Sequence, residues 1–170
     1  MISKNLNKII IIGDSCRGKT TLALKMSEKL GIPYHSTDDC LYEIKFTKKR
    51  DKQEGIDIAE GVFKGEKWIV EGTTGYLLRL GFDSADIIIH LVHKDVIMQW
   101  AYLIKRYFQR DTSNETIKKL LGLMKHVLYK RNGWGYRKGK TKTSDQIEPY
   151  KNKVITFSSF KEIDDFVNSL

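Results

Sequence analysis

The N-terminal pattern is polar, then abruptly apolar. Four consecutive isoleucines, Ile9 to Ile12, end at Gly13. A short β-branched run of this kind suits a strand covered on both faces. Leu22, Ala23 and Met26 then recur at helical spacing, and Gly31 is a plausible stop for a helix reaching Leu30. Residues 33–36 read as a second short strand. Residues 41–55, with Lys45, Lys48, Lys49, Arg50 and Lys52, read as a polar, mobile stretch. Ile56, Ala59 and Phe63 make a modest helical stripe, which Gly65-Glu66 breaks. Trp68-Ile69-Val70 is a third strand, and Tyr76, Leu77 and Leu80 suggest a short helix or turn.

The apolar run 87–92 reads as a fourth strand. A long helix follows over residues 94–110, with Val96, Trp100, Leu103 and Tyr107 on one face. Residues 113–131 repeat the helical pattern through Ile117, Leu120, Leu121, Met124, Val127 and Leu128. Residues 132–140 form a glycine-rich basic loop containing Trp134 and Tyr136. Val154 to Phe157 is the fifth strand. Ser159 with Glu162 three residues on is a capping box, and it opens a final helix through Ile163, Phe166, Val167 and Leu170.

Strands alternating with helices imply an α/β fold, a parallel sheet with right-handed crossovers and helices on both faces. The chain reads as a single domain, residues 1–170, without repeats or linkers. The strand ends near residues 13, 37, 71 and 93 then fall along one edge. Ligands of open α/β sheets bind at that edge.

Candidate chemistry gathers there. Gly13-Asp14-Ser15-Cys16-Arg17-Gly18-Lys19-Thr20 fits G-x-x-x-x-G-K-[ST] between a strand and a helix. Gly13 and Gly18 let the backbone turn so that successive amides form an anion nest, and the helix N-terminus adds its positive end. Asp14 to Arg17 complete the loop, and Thr21 follows it. Lys19 suits the β- and γ-phosphates, and the Thr20 hydroxyl suits Mg²⁺. Asp38 and Asp39 follow the second strand, and Glu71-Gly72 follows the third. An ionised carboxylate there can hold metal through water or accept a proton. Each is equally able to cap a turn. Arg106 and Arg110 lie four apart on one helix face, spaced to fork a phosphate or simply to face solvent. His35, His90, His93 and His126 have no ligand spacing, and His90 reads as a core residue.

Composition narrows the setting. The chain has 170 residues with 41% hydrophobic content and two cysteines, Cys16 and Cys40, too few for a disulfide framework. A reducing cytoplasm is expected. The N-terminal apolar run is too short for a signal peptide or a membrane span. The net charge is +9. Residues 101–153 hold 14 basic and 4 acidic residues, so the excess is local. Such a segment can handle phosphates or nucleic acid, or be a solvated face.

The stretches GDSCRGKTTLALKMSEKLGIPYHSTDDCLY, EKWIVEGTTGYLLRLGFDSADIIIHL and IKRYFQR resemble nucleoside-monophosphate-kinase-type P-loop proteins. Within that group they are most similar to adenylate-kinase-like DNA topology modulation proteins. The resemblance covers about the first two thirds of the chain. It implies a three-layer P-loop NTPase fold, a five-stranded sheet of order 2-3-1-4-5, ATP with Mg²⁺, and a lid over about residues 106–150. It also implies residue roles. Gly13 to Thr21 would bind the nucleotide, Lys19, Asp38, Arg106 and Arg110 would be catalytic, and Thr20 and Asp38 would serve the metal. Asp38, Asp39, Glu71 and Gly72 would face the acceptor, and residues 158–160 would lie near the adenine. Thr73-Thr74-Gly75 departs from the phenylalanine-proline-arginine run of nucleotide kinases, and the second strand lacks the D-x-D of shikimate-type enzymes.

The expected function is ATP-dependent phosphoryl transfer to a small-molecule or nucleotide acceptor. The alternative is a nucleotide-binding regulatory protein that holds nucleic acid through the basic segment, including Lys138, Lys140 and Lys142.

Overall fold

The structure is a computed structural model. It describes residues 6–44, 47–93, 95–109, 117–131 and 142–170. The elements in chain order are β1 (Lys8–Gly13), α1 (Lys19–Leu30), β2 (Tyr34–Ser36), α2 (Thr37–Leu41), β3 (Tyr42–Ile44), β4 (Lys48–Lys49), α3 (Lys52–Phe63), β5 (Trp68–Gly72), α4 (Gly75–Phe82), β6 (Ile87–Leu91), α5 (Val96–Gln109), α6 (Ile117–Arg131), α7 (Thr143–Ile147), a 3-10 turn (Glu148–Lys153), β7 (Val154–Phe157) and α8 (Phe160–Ser169).

Five strands form one parallel sheet in the order β2-β5-β1-β6-β7. Counted along the chain, that is the expected 2-3-1-4-5. The isoleucine run is its centre, with β5 on one side and β6 on the other.

Side chains alternate across a strand, and β1 uses both faces. Ile9 and Ile11 enter a layer with Leu22, Met26, Ile89, Ile163 and Phe166, beneath α1 and α8. Ile10 and Ile12 enter the opposite layer with Phe63, Trp68, Leu78, Phe82 and Ile88, beneath α3 and α4. All four isoleucines are at most 2% exposed. Each contributes about 1.5–3 kcal/mol of burial. Trp68 closes the second layer, edge-on to Phe63 at 4.9 Å between centroids.

The ends of the elements follow local chemistry. Gly31 turns left-handed at φ 66° to stop α1. Ser159 and Glu162 form the expected capping box, with Ser159 Oγ accepting from the Glu162 amide at 3.2 Å. The Asp86 carboxylate accepts from the amides of Asn7 and Lys8, both at 2.8 Å, where β1 enters the sheet.

Within residues 41–55, where the sequence reading named no element, the structure has regular elements. These are the antiparallel β3–β4 hairpin and the start of α3. Asp51 caps that helix by accepting from the Gln53 amide at 2.8 Å, so it begins at Lys52, before the apolar stripe at Ile56. The short helix expected around Tyr76 is α4, and α5 begins at Val96 rather than residue 94. His90, read as a core residue, is half-buried on β6 between Ile12 and Thr156. Arg110, Trp134, Tyr136, Lys138 and Lys140 lie outside the described residues. Among the described residues, no helix is long and apolar enough to cross a membrane.

Candidate active site

The glycine loop joins β1 to α1 at the C-terminal edge of the sheet. Its first glycine is required by contact. Gly13 has φ 149°, and a Cβ there would overlap the backbone carbonyl of Leu91. That carbonyl also accepts from the Asp14 amide at 2.9 Å. The loop therefore springs from a point where β1 and β6 touch without side chains. Cys16 and Gly18 both have left-handed backbones, φ 59° and 79°. Left-handed residues among right-handed ones curl backbone amides into a nest. At Cys16 that conformation costs about 1 kcal/mol for a residue with a Cβ.

Three groups brace the loop from β6 and α5. The His93 amide donates to Asp14 Oδ2 at 3.1 Å. The His93 ring nitrogen Nε2 stands 3.3 Å from the Ser15 carbonyl, and Gln99 Nε2 donates to the same carbonyl at 3.4 Å. A carbonyl only accepts, so Nε2 of His93 carries the proton. Burial, followed by the Arg17 and Lys19 charges, holds the His93 pKa below its usual value, although Asp14 and the Ser15 carbonyl act the other way. His93 and Gln99 escaped the sequence reading because neither has ligand spacing. The signal was the parallel register. Gly13 pairs with Leu91, so residues two beyond each are neighbours.

Lys19 is only 8% exposed, and its ammonium donates to the Asp14 carbonyl at 2.8 Å. Arg106 reaches the loop from α5, where Nη1 donates to Cys16 Sγ at 3.6 Å. Arg17 is 3% exposed, and its guanidinium lies 4.5 Å from the Phe160 ring centroid. Its Nε and Nη2 are buried without a hydrogen bond. Burial pulls its pKa below the usual value, while Tyr102, Glu162 and Asp14 partly oppose the shift.

Glu71 is the other anchor. It is the penultimate residue of β5, is 6% exposed, and receives three hydroxyls on one oxygen. Thr20 Oγ1 donates to Oε1 at 3.0 Å, Ser36 Oγ at 3.1 Å and Tyr34 hydroxyl at 3.3 Å. Burial, then the Glu71 charge, pushes the Tyr34 pKa up to about 12, so Tyr34 stays a donor. Gly72 packs against Thr37 so tightly that a Cβ would overlap the Thr37 side chain. That contact seats α2, with half-buried Asp38 and exposed Asp39, against the end of β5. The Asp38 amide donates to Ser36 Oγ at 3.3 Å.

The expected site residues thus divide. Gly13 to Thr20, Arg106 and Glu71 converge on the loop, and Thr21 is exposed on α1. The Thr20 hydroxyl is held by Glu71, which the sequence reading brought to the same edge as the loop without pairing the two. Asp38, Asp39 and Gly72 lie on the α2 side. Of the alternative's lysines, Lys142 alone is described, exposed at the start of α7.

No family model matches the chain, and no curated protein does. Solved structures match it over nearly its whole length. A shikimate kinase from Bacteroides thetaiotaomicron aligns over 97% of this chain and 96% of its own, with TM-score 0.56 and 16% identity. An uncharacterized protein from Eubacterium ventriosum ATCC 27560 aligns over 96% and 99%, with TM-score 0.53 and 16% identity. A gluconokinase from Sinorhizobium meliloti 1021 aligns over 95% and 87%, with TM-score 0.53 and 12% identity. At these identities the likeness is one of fold, the three-layer fold of P-loop kinases. The narrower resemblance to DNA topology modulation proteins has no counterpart among these three.

Proposed function

We propose that the chain is a P-loop phosphotransferase that moves the γ-phosphoryl group of ATP to a small acceptor on the Asp38 side. The observation that carries this reading is the 3.0 Å hydrogen bond from Thr20 to Glu71 beside a complete phosphate loop. A hydroxyl that donates to Glu71 turns its lone pairs elsewhere, and a hard cation takes such oxygen donors. A threonine hydroxyl and a neighbouring carboxylate therefore fit Mg²⁺. Bound there with ATP, Mg²⁺ would neutralise charge on the β- and γ-phosphates.

The chain's own residues supply the rest. The curled loop and the α1 N-terminus offer amides to phosphate oxygens. Lys19 exchanges its carbonyl partner for phosphate. Glu71 fixes the Thr20 rotamer through Oε1, and its carboxylate would help to hold the cation. Arg106 draws negative charge at the loop's outer side. An acceptor oxygen attacks the γ-phosphorus, the bond to the β-phosphate oxygen breaks, and ADP leaves. Asp38 takes the proton where the acceptor is a hydroxyl.

The test is ADP release from Mg²⁺-ATP across candidate acceptors, beside a no-acceptor control. Lys19→Ala should lower ATP binding and turnover at least about a hundredfold with unchanged circular dichroism. Retained turnover in that variant sinks the reading, as does a wild-type chain that fails to bind Mg²⁺-ATP.

A further inference from the structure

Helix α5 is apolar on two sides. On the inner side Leu103 and Gln99 are buried, and Arg106 reaches the glycine loop. The outer side carries Ile97, Ala101, Ile104 and Phe108, at steps of four, three and four, so they form one stripe. That stripe lies open to water, with Ile97 72% and Phe108 79% exposed. Helix α6 doubles back along α5, tied to it where Trp100 Nε1 donates to the Met124 carbonyl at 3.3 Å. This pairing brings Leu121 level with Ile104, and Ile117 level with Phe108. Val127 of α6 is buried, whereas Ile117 and Leu121, four apart, are exposed. Protein surfaces ordinarily scatter such residues singly, and a continuous apolar face marks a binding surface.

Charge says what that face meets. Together α5 and α6 hold seven lysines and arginines and no aspartate or glutamate. Lys105 follows Ile104 and Lys118 follows Ile117, and both lysines are exposed. Lys118 and Lys119 stand in the first turn of α6, where the positive helix end disfavours cations. A second copy of the chain would bring the same cations to the same face, and like charges oppose that pairing. Nucleic acid suits the charge but not the centre, because isoleucine and leucine neither stack on bases nor hydrogen-bond to them. An anionic bilayer suits both. Its acyl boundary takes the apolar side chains while its headgroups meet the lysines. We infer that the outer face of α5 and α6 docks this chain on anionic membranes. The 14 residues of α5 fall short of the ~20 that span a bilayer, so α5 lies along the surface. The glycine loop is on the other side of α5, so docking leaves the phosphate site open. The inference stands apart from the phosphotransferase reading.

Co-sedimentation of the full chain with lipid vesicles tests it. Vesicles of phosphatidylcholine alone are compared with vesicles in which about a third of the lipid is phosphatidylserine. The chain should partition onto the anionic vesicles about tenfold or more better, and high salt should remove most of the difference. Phe108→Glu and Ile97→Glu, at exposed positions, should each weaken that binding about tenfold with an unchanged thermal midpoint. Lys105→Gln combined with Lys118→Gln should weaken it to a similar degree on anionic vesicles and leave neutral ones unaffected. The inference is overturned if both vesicle types bind alike, if neither binds at about 1 mM lipid, or if the glutamate variants bind as wild type does. Sedimentation equilibrium and retention on duplex DNA decide between the rival occupants. A dimer that Phe108→Glu dissociates, without vesicle binding, gives the face to a second copy and overturns the inference. Salt-sensitive DNA retention that Phe108→Glu leaves intact, without vesicle binding, overturns it in favour of nucleic acid.

Discussion

Replacing Glu71 with alanine would remove the acceptor of three hydroxyls at once, and the structure fixes what each loss costs. Ser36 is 3% exposed, so its stranded hydroxyl costs about 1–3 kcal/mol. Thr20 is exposed and rehydrates, so its loss adds little. Tyr34 is half-buried and falls between them. The vacated side-chain volume adds about 1–2 kcal/mol. Relief of a buried carboxylate returns part of this. The net destabilisation is about 2–4 kcal/mol, or about 5–15 °C in midpoint for a chain of this size. Glu71→Gln keeps an acceptor oxygen and the shape while deleting the charge, so its stability should stay within about 1 kcal/mol of wild type. Its Mg²⁺-dependent ATP binding should nonetheless fall about tenfold or more. Thermal unfolding by circular dichroism, without nucleotide or metal, reads the first pair of values. The reasoning fails if Glu71→Ala melts with wild type, or if its effect and that of Ser36→Ala simply add.

Two other outcomes follow from the braces around the loop. Gly13→Ala forces a methyl against the Leu91 carbonyl and breaks the Asp14 amide bond to it, so about 2–4 kcal/mol of stability should be lost together with nucleotide binding. Urea unfolding and a nucleotide titration check both. His93 has a lowered pKa, so on acidification the unfolded chain takes up a proton that the folded one refuses. Stability should therefore fall as pH drops below about 6.5, and His93→Gln should flatten that slope in unfolding free energies measured between pH 7.5 and about 5.

The legible parts of the chain were those whose signal is local. The isoleucine run, the glycine loop and the Ser159–Glu162 box each carry their evidence within a few residues, and the sheet order followed from the resemblance. The β3–β4 hairpin was missed because its strands are three and two residues long, and Tyr42-Glu43-Ile44 followed by Lys48-Lys49 is too short a pattern to stand out from a polar stretch. The start of α3 was missed for a different reason. Asp51 with Glu54 is an N-terminal signal, but Gly55 follows and the apolar stripe begins only at Ile56. The sequence brought the glycine loop and Glu71 to one edge, but not the individual hydroxyls that meet Glu71. Ser36 lies 35 residues away and Thr20 lies 51 away, and they meet only because β2 and β1 flank β5.

A strand whose odd and even positions are both greasy has no solvent side to tell it where it belongs. Shifting Ile9 to Ile12 by one place would exchange the two layers and still bury four isoleucines, so oil-and-water sorting alone leaves the alignment of the central strand nearly degenerate. The tie is broken at the strand's two tips. At the entrance, one aspartate oxygen grips two consecutive amides, and at the exit only a residue without a side chain fits beside Leu91. The loop that cradles phosphate is thus aimed by a peg at either end of the strand, and the grease between them supplies adhesion without direction.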